Sequence, residues 1–399
     1  MLIKLALKSL NDRKGSIVLS IIAMTVSIFV LLGVEHIRHQ TKESFSKTVS
    51  GVDLIVGART GSLNLLLYSV FKIGNPTNDI SWESFENITN NSKVKWAVPL
   101  SLGDSHKGYR VLGTTPDYFQ YLSYGKKHRI AFEQGKVFTD TLDVVLGYQV
   151  ATKLKYKLGD KLVLAHGVAK NSFSLHSENP FTVVGILAPT GTPIDQTLHV
   201  SLQGIEAIHS DGKTASKVQP KSITAIMLGL KSRMSTFRVQ RSINDDKREP
   251  LLAILPGVAL SELWQIMRIL ENTLFLVSVL VFISACLGVS AMLLSSIKER
   301  TQEIKLLRVI GAPPLFLFIL IELEALFIAI ISNVFAAIIL TISLLLTQSY
   351  LASYFGLHIS MNIISFNTLS IMAAMIGASM IVATIPSIIA YAQSKKRTH

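Results

Sequence analysis

Cysteine is nearly absent from this chain: Cys286 is the only one in 399 residues. It sits inside a long apolar run, so no disulfide can brace a water-facing domain, and such a domain must rely on its own core. Charge is scarce too, at 16% of residues against 49% hydrophobic, and mean hydropathy is positive. That balance is too apolar for an ordinary soluble protein and too charged for a wholly embedded one, so a water-facing part must be joined to a lipid-facing part. No phosphate-cradling G-x-x-x-x-G-K-[ST] loop is found; "LGLKS" at Leu228–Ser232 lacks the first glycine at the needed spacing. No nucleophile–base pair or metal-ligand motif appears, which leaves an embedded enzyme without support. Internal repeats and low-complexity tracts are absent as well.

What is present in quantity is long apolar sequence. Four runs reach the roughly 20 helical residues that cross a hydrocarbon core: 15–34, 274–297, 315–346 and 369–391, the last with Pro386 near its end. No charge interrupts the first, second or fourth. The first run is too long for the apolar core of a cleaved leader, and "LLGVEHIRHQ" offers no small-x-small site, so it is expected to be a retained anchor. Short-loop Lys and Arg set the orientation. Lys4, Lys8, Arg13 and Lys14 precede the first run, Lys298, Arg300, Lys305 and Arg308 follow the second, and Lys395, Lys396 and Arg397 follow the fourth. The segment 347–368 between runs three and four is almost uncharged. One topology fits: both termini cytoplasmic, with the large segment outside. The formal charge of +13 therefore does not point to nucleic acid.

The expected fold class is an α-helical membrane protein with four transmembrane helices and a large α/β extracytoplasmic domain inserted between helices 1 and 2. Residues 1–14 pattern as a short amphipathic helix at the cytoplasmic interface. Residues 35–49 and 256–273 read as helical stalks, the second with Leu260, Leu263, Trp264, Met267, Leu270 and Leu274 at coiled-coil-like spacing. Residues 50–255 contain strand-like runs, among them "VDLIVGA", "YRVLGTT", "DVVLGY", "KLVLAH", "FTVVGILAP" and "ITAIMLGL", parted by Gly, Pro, Asn and Asp clusters. "SWESFENITN", capped by Ser81, and "YQVATKLKY" read as helices. Two lobes are expected, one inserted at about 130–205.

Between the second and third spans lies "KERTQEIKLLRVIGAPP", residues 298–314. Glu299, Arg300, Gln302 and Glu303 fall on polar faces, and Ile304, Leu307 and Ile310 form an apolar stripe. Gly311 suits a C-terminal cap, and Pro313-Pro314 suit the first turn of the next helix. A short amphipathic helix gripped by two spans is well placed to receive a push from a cytoplasmic partner.

On these residues the chain resembles MacB/FtsX-type (type VII) ABC permeases, the family that includes the LolC and LolE lipoprotein-release subunits. The matching pattern is Glu299, Arg300, Glu303, Ile304, Leu307, Arg308, Gly311 and Ala312, followed by Glu324-Ala325 in the third span. The motifs "DLIVGA" and "VVLGYQVATKLKYKLGDKLVL…FTVVGIL" are similar to that family's external domain. The resemblance implies a non-catalytic subunit in a bacterial inner membrane, with a periplasmic domain. It further implies a second permease chain, as a homodimer, and two separate ABC ATPase subunits carrying ATP and magnesium, with no cofactor in this chain. Docking on the ATPase would fall to Lys298, Glu299, Arg300, Glu303, Ile304, Leu307, Arg308 and Gly311. A periplasmic adaptor or substrate protein and membrane lipid are further implied partners. The implied activity is mechanotransmission that exports or extracts an amphipathic substrate (lipoprotein, peptide, antibiotic or lipid-like). The alternative is an FtsX-like regulator that activates an external cell-wall hydrolase. One departure is "LFIAIISNVFAA" after the Glu-Ala pair, where many relatives are Gly-rich, so close helix packing there is not assumed.

Other candidates carry competing readings. Glu322 and Glu324 lie within the third span, where a carboxyl is costly; a proton relay competes with a protonated or hydrogen-bonded Glu that holds helices together. Glu324 matches the family position, and Glu322 is expected at the membrane interface. His166, His176 and His199 flank a polar loop, and are expected to be exposed histidines rather than metal ligands. Leu63, Leu66, Leu67 and Phe71 belong to an apolar stretch outside the membrane that is an apolar substrate surface, a helix lying on the outer leaflet, or a core helix of the external domain.

Overall fold

A computed structural model of the chain describes residues 14–48, 50–125, 128–166, 179–209, 220–299, 313–355 and 366–396. In chain order, α1 (Lys14–Thr48) is followed by β1 (Leu54–Ala58), α2 (Ser62–Leu66) with a π-turn at Leu67–Phe71, β2 (Ile80–Ser81), α3 (Trp82–Thr89), β3 (Val94–His106) and β4 (Tyr109–Thr114). Next come α4 (Asp117–Tyr121), β5 (Ser123–Tyr124), β6 (His128–Arg129), β7 (Phe132–Gly135), β8 (Asp143–Leu146), α5 (Tyr148–Leu154), β9 (Lys161–Leu162), β10 (Ala165–His166) and β11 (Phe181–Leu187). Then β12 (Thr197–Ser201), α6 (Leu202–His209), β13 (Ser222–Ile223), β14 (Ala225–Leu230), α7 (Thr236–Asn244) and β15 (Leu251–Ile254) precede the long helices α8 (Pro256–Glu299), α9 (Pro314–Phe355) and α10 (Phe366–Lys396).

The chain forms two compact units. Four helical stretches are long and apolar enough to cross a membrane, Lys14–Gln40, Pro256–Ile297, Leu315–Thr347 and Thr368–Ala392, and one unit holds them from Arg268 onward in the second and whole in the others. In hydrocarbon no water can satisfy a stray polar group, so hydroxyls bond to backbone within and between helices. Ser332 Oγ of α9 donates to the Ile21 carbonyl of α1 at 3.3 Å. The face that carries Ile328, Ala329, Ser332 and Ala336 is fully buried. Small residues thus give the close helix contact that the missing glycines left unassumed. Cys286 of α8 lies 3.8 Å from Ser379 of α10.

A second α8–α10 contact answers a defect in the helix ladder. Pro386 lies inside α10 and has no N–H to give the carbonyl four residues back, that of Val382. Ser290 Oγ of α8 donates to that same carbonyl at 3.3 Å. A neighbouring helix therefore supplies the bond that proline removes.

The other unit is the mixed α/β region, built on a sheet of order β15-β1-β14-β3-β4-β12-β8-β11-β7, with β10 on β3 and β9 on β11. The pairs β4–β12 and β8–β11 are parallel, and the remaining pairs of the path are antiparallel. Period-2 alternation places Ile55, Met227 and Ile254 in one core, and Leu54, Val56, Ile226, Leu228, Leu251 and Ala253 in the core of the opposite face. Gly229 faces Trp96 across the β14–β3 ladder, and a Cβ there would lie 2.1 Å from the indole. Ser81 caps α3 by accepting from Ser84 N at 3.3 Å, as its position before that helix led us to expect.

The thirteen-residue strand β3 joins the two halves of the sheet. Its first part pairs with β14, and from Ser101 onward it pairs with β4. The second half of the sheet therefore begins near residue 101 rather than near 130, because β3 and β4 extend the ladder that β12, β8 and β11 complete.

The Ser290–Val382 contact yields a test. In unfolding titrations Ser290→Ala should cost about 0.5–1 kcal/mol. The same change in a Pro386→Ala background should cost nearly nothing, because replacing the proline restores the backbone N–H. Equal costs in both backgrounds would show that Ser290 does not serve that carbonyl.

Candidate functional site

The sequence points to the junction between the second and third spans. Lys298 and Glu299 end α8, while Arg300, Glu303, Ile304, Leu307, Arg308 and Gly311 lie outside the described residues. So do His176 and all but the last residue of the 1–14 segment.

A groove of about 500 Å³ runs between α1 and α8. On α1 it is lined by Ser16, Leu19, Ser20, Ala23 and Ser27, and on α8 by Val281, Ser284, Ala285, Gly288 and Met292 among others. Both sets recur every three or four residues, as one face of a helix requires. The groove exists because those faces carry small side chains: a Cβ built on Gly288 meets nothing within 4 Å. It occupies the start of α1's apolar stretch and the end of α8's, next in sequence to residues 298–312. Among the described residues, no charged side chain lines it, which is unlike an ion path.

Glu322 and Glu324 are both buried in α9, 9% and 4% exposed. Two positions apart on a helix, they leave on different sides. Glu324 lies toward the side of Ile328 and Ser332. Glu322 faces Ser387 of α10, and its Oε1 accepts no hydrogen bond among the described residues. Glu322 thus packs against α10.

Outside the spans, the apolar stretch resolves into core. Leu66 is fully buried and Phe71 nearly so, while Leu63 and Leu67 are half-buried. Tyr68 Oη donates to the Thr224 carbonyl at 3.1 Å and fixes the turn against the sheet. Leu63, Leu66, Leu67 and Phe71 therefore offer no open apolar substrate surface. Their pattern was ambiguous because an amphipathic segment looks the same whether sheet or lipid covers it.

One of the histidines also differs from expectation. His199 is not an exposed loop residue: it sits in β12, fully buried, with the Tyr118 and Phe119 rings at 5.2 and 5.6 Å. Among the described residues, neither ring nitrogen finds a well-formed hydrogen bond. Burial, helped by the charge of Lys72, pushes its pKa down to about 3, and the backbone of Val145 opposes this only in part. Burial likewise pushes the Lys72 ammonium down to about 7. His166 falls in β10, opposite Asp104 of β3. Asp104 is buried, and its carboxylate, 3.5 Å from His209, raises the pKa of that histidine. Among the described residues, no three His, Cys, Asp or Glu side chains gather as metal ligands.

Residues 17–246 match the family model of the MacB-like periplasmic core domain, more than half of the chain, and residues 275–395 match the FtsX-like permease C-terminal model. Among solved structures, the periplasmic region of MacB from Actinobacillus actinomycetemcomitans is similar at 10% identity and a TM-score of 0.35, over 54% of this chain and 94% of that one. The extracellular domain of the noncanonic ABC-type transporter YknZ from Gram-positive bacteria is similar at 15% identity and a TM-score of 0.32, over 51% and 98%. No match was found among curated proteins.

His199 makes the α/β unit acid-sensitive. Between about pH 3 and 6.5 the unfolded chain holds a proton on this imidazole that the folded chain refuses, so stability rises with pH across that window. At pH 4.5 this group should cost roughly 2–3 kcal/mol relative to pH 7. Denaturant unfolding followed by Trp82 and Trp96 fluorescence should show a shallower pH dependence for His199→Leu; an unchanged slope would remove His199 as the cause.

Proposed function

The chain belongs to the FtsX-like permeases that carry a MacB-like periplasmic core domain, and on that premise we propose that it converts ATP hydrolysis by a partner ATPase into movement of its α/β domain. Proteins of this family are membrane subunits of ABC transporters and are generally not catalysts themselves. The spans fit a bacterial inner membrane, with the α/β region in the periplasm and, in our reading, both termini in the cytoplasm.

One observation carries the mechanical reading. The helices that flank the α/β region in the chain are unbroken, 35 residues in α1 and 44 in α8. A continuous helix transmits displacement along its axis without the losses of a hinge. Next in sequence to residues 298–312, the groove between small side chains leaves room for these two helices to approach. Elsewhere they are tied to α9 and α10 by Ser332–Ile21 and Ser290–Val382. ATPase docking on Lys298, Glu299, Arg300, Glu303, Ile304, Leu307, Arg308 and Gly311 would then push on the end of α8. Two copies of this chain would sit on two ATPase subunits. The substrate is amphipathic and handled at the outer face, a reading supported by spans with few polar side chains to line an aqueous pore.

Deleting residues 298–308 should abolish co-purification of the ATPase while the chain still inserts in the membrane. Gly288→Phe, which fills the groove, should retain the ATPase but reduce ATP-dependent movement of a fluorophore on the α/β unit by about tenfold or more, an effect of about 1.4 kcal/mol. Unimpaired movement in Gly288→Phe would sink the groove's role; retained ATPase in the deletion would sink the docking role. An external hydrolase activated by the purified complex, with no substrate released, would instead identify the regulator.

A further inference from the structure

The α/β unit exposes a patch that neither its core nor the coupling mechanism uses. It lies on α7 and the turn before it, "KSRMSTFRVQR" from Lys231 to Arg241. Thr236, Val239 and Ile243 of α7 are buried, and the last two join the sheet's core. That accounts for the helix's own apolar stripe. Yet Met234 remains 95% exposed and Phe237 71% exposed, three residues apart. Exposed side chains of this size, set together, are the informative exception on a soluble surface.

The patch is rigid and cationic. Ser232 Oγ accepts from Met234 N at 3.3 Å, Ser235 Oγ donates to the Ser232 carbonyl at 2.6 Å, and Thr236 Oγ1 donates to the Arg233 carbonyl at 2.8 Å. From the other end, Gln240 Nε2 donates to the Ala253 carbonyl at 3.0 Å, tying α7 to β15. Both acids at the helix's far end are occupied, Asp245 by Arg241 and Asp246 by Arg248. Lys231, Arg233 and Arg238 are exposed and form no ion pair among the described residues. The first turn of α7 holds no acidic residue to offset them.

We propose that this face of α7 docks an acidic protein partner outside the membrane, with Met234 and Phe237 as apolar anchors and Lys231, Arg233 and Arg238 as the charged rim. Two large apolar side chains among arginines match the composition of interface cores and hot spots. Pre-set hydroxyl bonds mean that little ordering entropy is lost on docking. The charge pattern selects the occupant. A second copy meeting this patch face to face would set arginine against arginine. A bilayer would gain only two apolar side chains, because the stripe that could insert is already committed to the core.

The test uses the full chain in its own membrane, with a photo-crosslinking benzoylphenylalanine at position 237. The expected product is a crosslink to an extramembrane protein, mapped by mass spectrometry to an acidic segment. Its yield should fall at least about tenfold when Arg233→Glu and Arg238→Glu are added, and return when the mapped acids are changed to lysine. Phe237→Ala and these reversals should leave basal ATP hydrolysis unchanged, since none belongs to the coupling segment or to the groove's lining. Crosslinks to lipid or to a second copy, capture indifferent to charge reversal, or no crosslink at all would each overturn the proposal.

Discussion

Hydrocarbon leaves no solvent for a stray hydrogen-bonding group, and the membrane unit is arranged around that constraint. Each span is helical because the helix satisfies its own backbone. Where α10 breaks its ladder at Pro386, the repair comes from Ser290 on another helix. Where α9 meets α1, a serine hydroxyl reaches the Ile21 carbonyl through a face of alanine, isoleucine and serine. These bonds fix partners as well as structure: α1 is tied to α9, and α8 to α10. At the groove, α1 and α8 face each other mainly through small side chains, and the same two helices flank the α/β region in the chain. The proposed mechanical role is supported by this contrast between bonded helix pairs and the groove.

The α/β unit solves a different problem. Without disulfides it depends on burying both faces of one long sheet, and the core is dense enough to accept at His199 an imidazole with no well-formed hydrogen bond among the described residues. That burial costs stability in acid and gains close packing against Tyr118 and Phe119. The apolar stretch at Leu63–Phe71 is absorbed by the same core, which removes it as a surface for substrate. What the core does not absorb, the Met234–Phe237 patch, stands out the more clearly as a place for contact with something else.

Strands formed by unbroken apolar runs, β1, β8, β11 and β14, were legible from periodicity because buried strands leave little else in their sequence. The long strand β3 was not: Pro99, Ser101, Gly103 and Asp104 interrupt its pattern, and its bulge past Leu102 breaks the alternation. The strand β12 was hidden because His199 reads as polar, although its neighbours bury it completely. The Ser81 cap was legible because capping is a local interaction between a side chain and the next turn. The surroundings of Glu322 were not legible because they come from α10, whose Ser387 lies far along the chain.

The sequence alone determined the number of spans, the place of the α/β insertion, the family and the charged segment between spans two and three. These depend on runs and short spacings, which act within one or two helical turns or one bilayer thickness. Tertiary structure alone decided that the Leu63–Phe71 stretch is core, that His199 is buried, that Ser290 answers Pro386, and that small residues on α1 and α8 face each other across a groove. Those outcomes depend on which distant segment covers each face, and burial by a distant segment leaves no local mark in the chain.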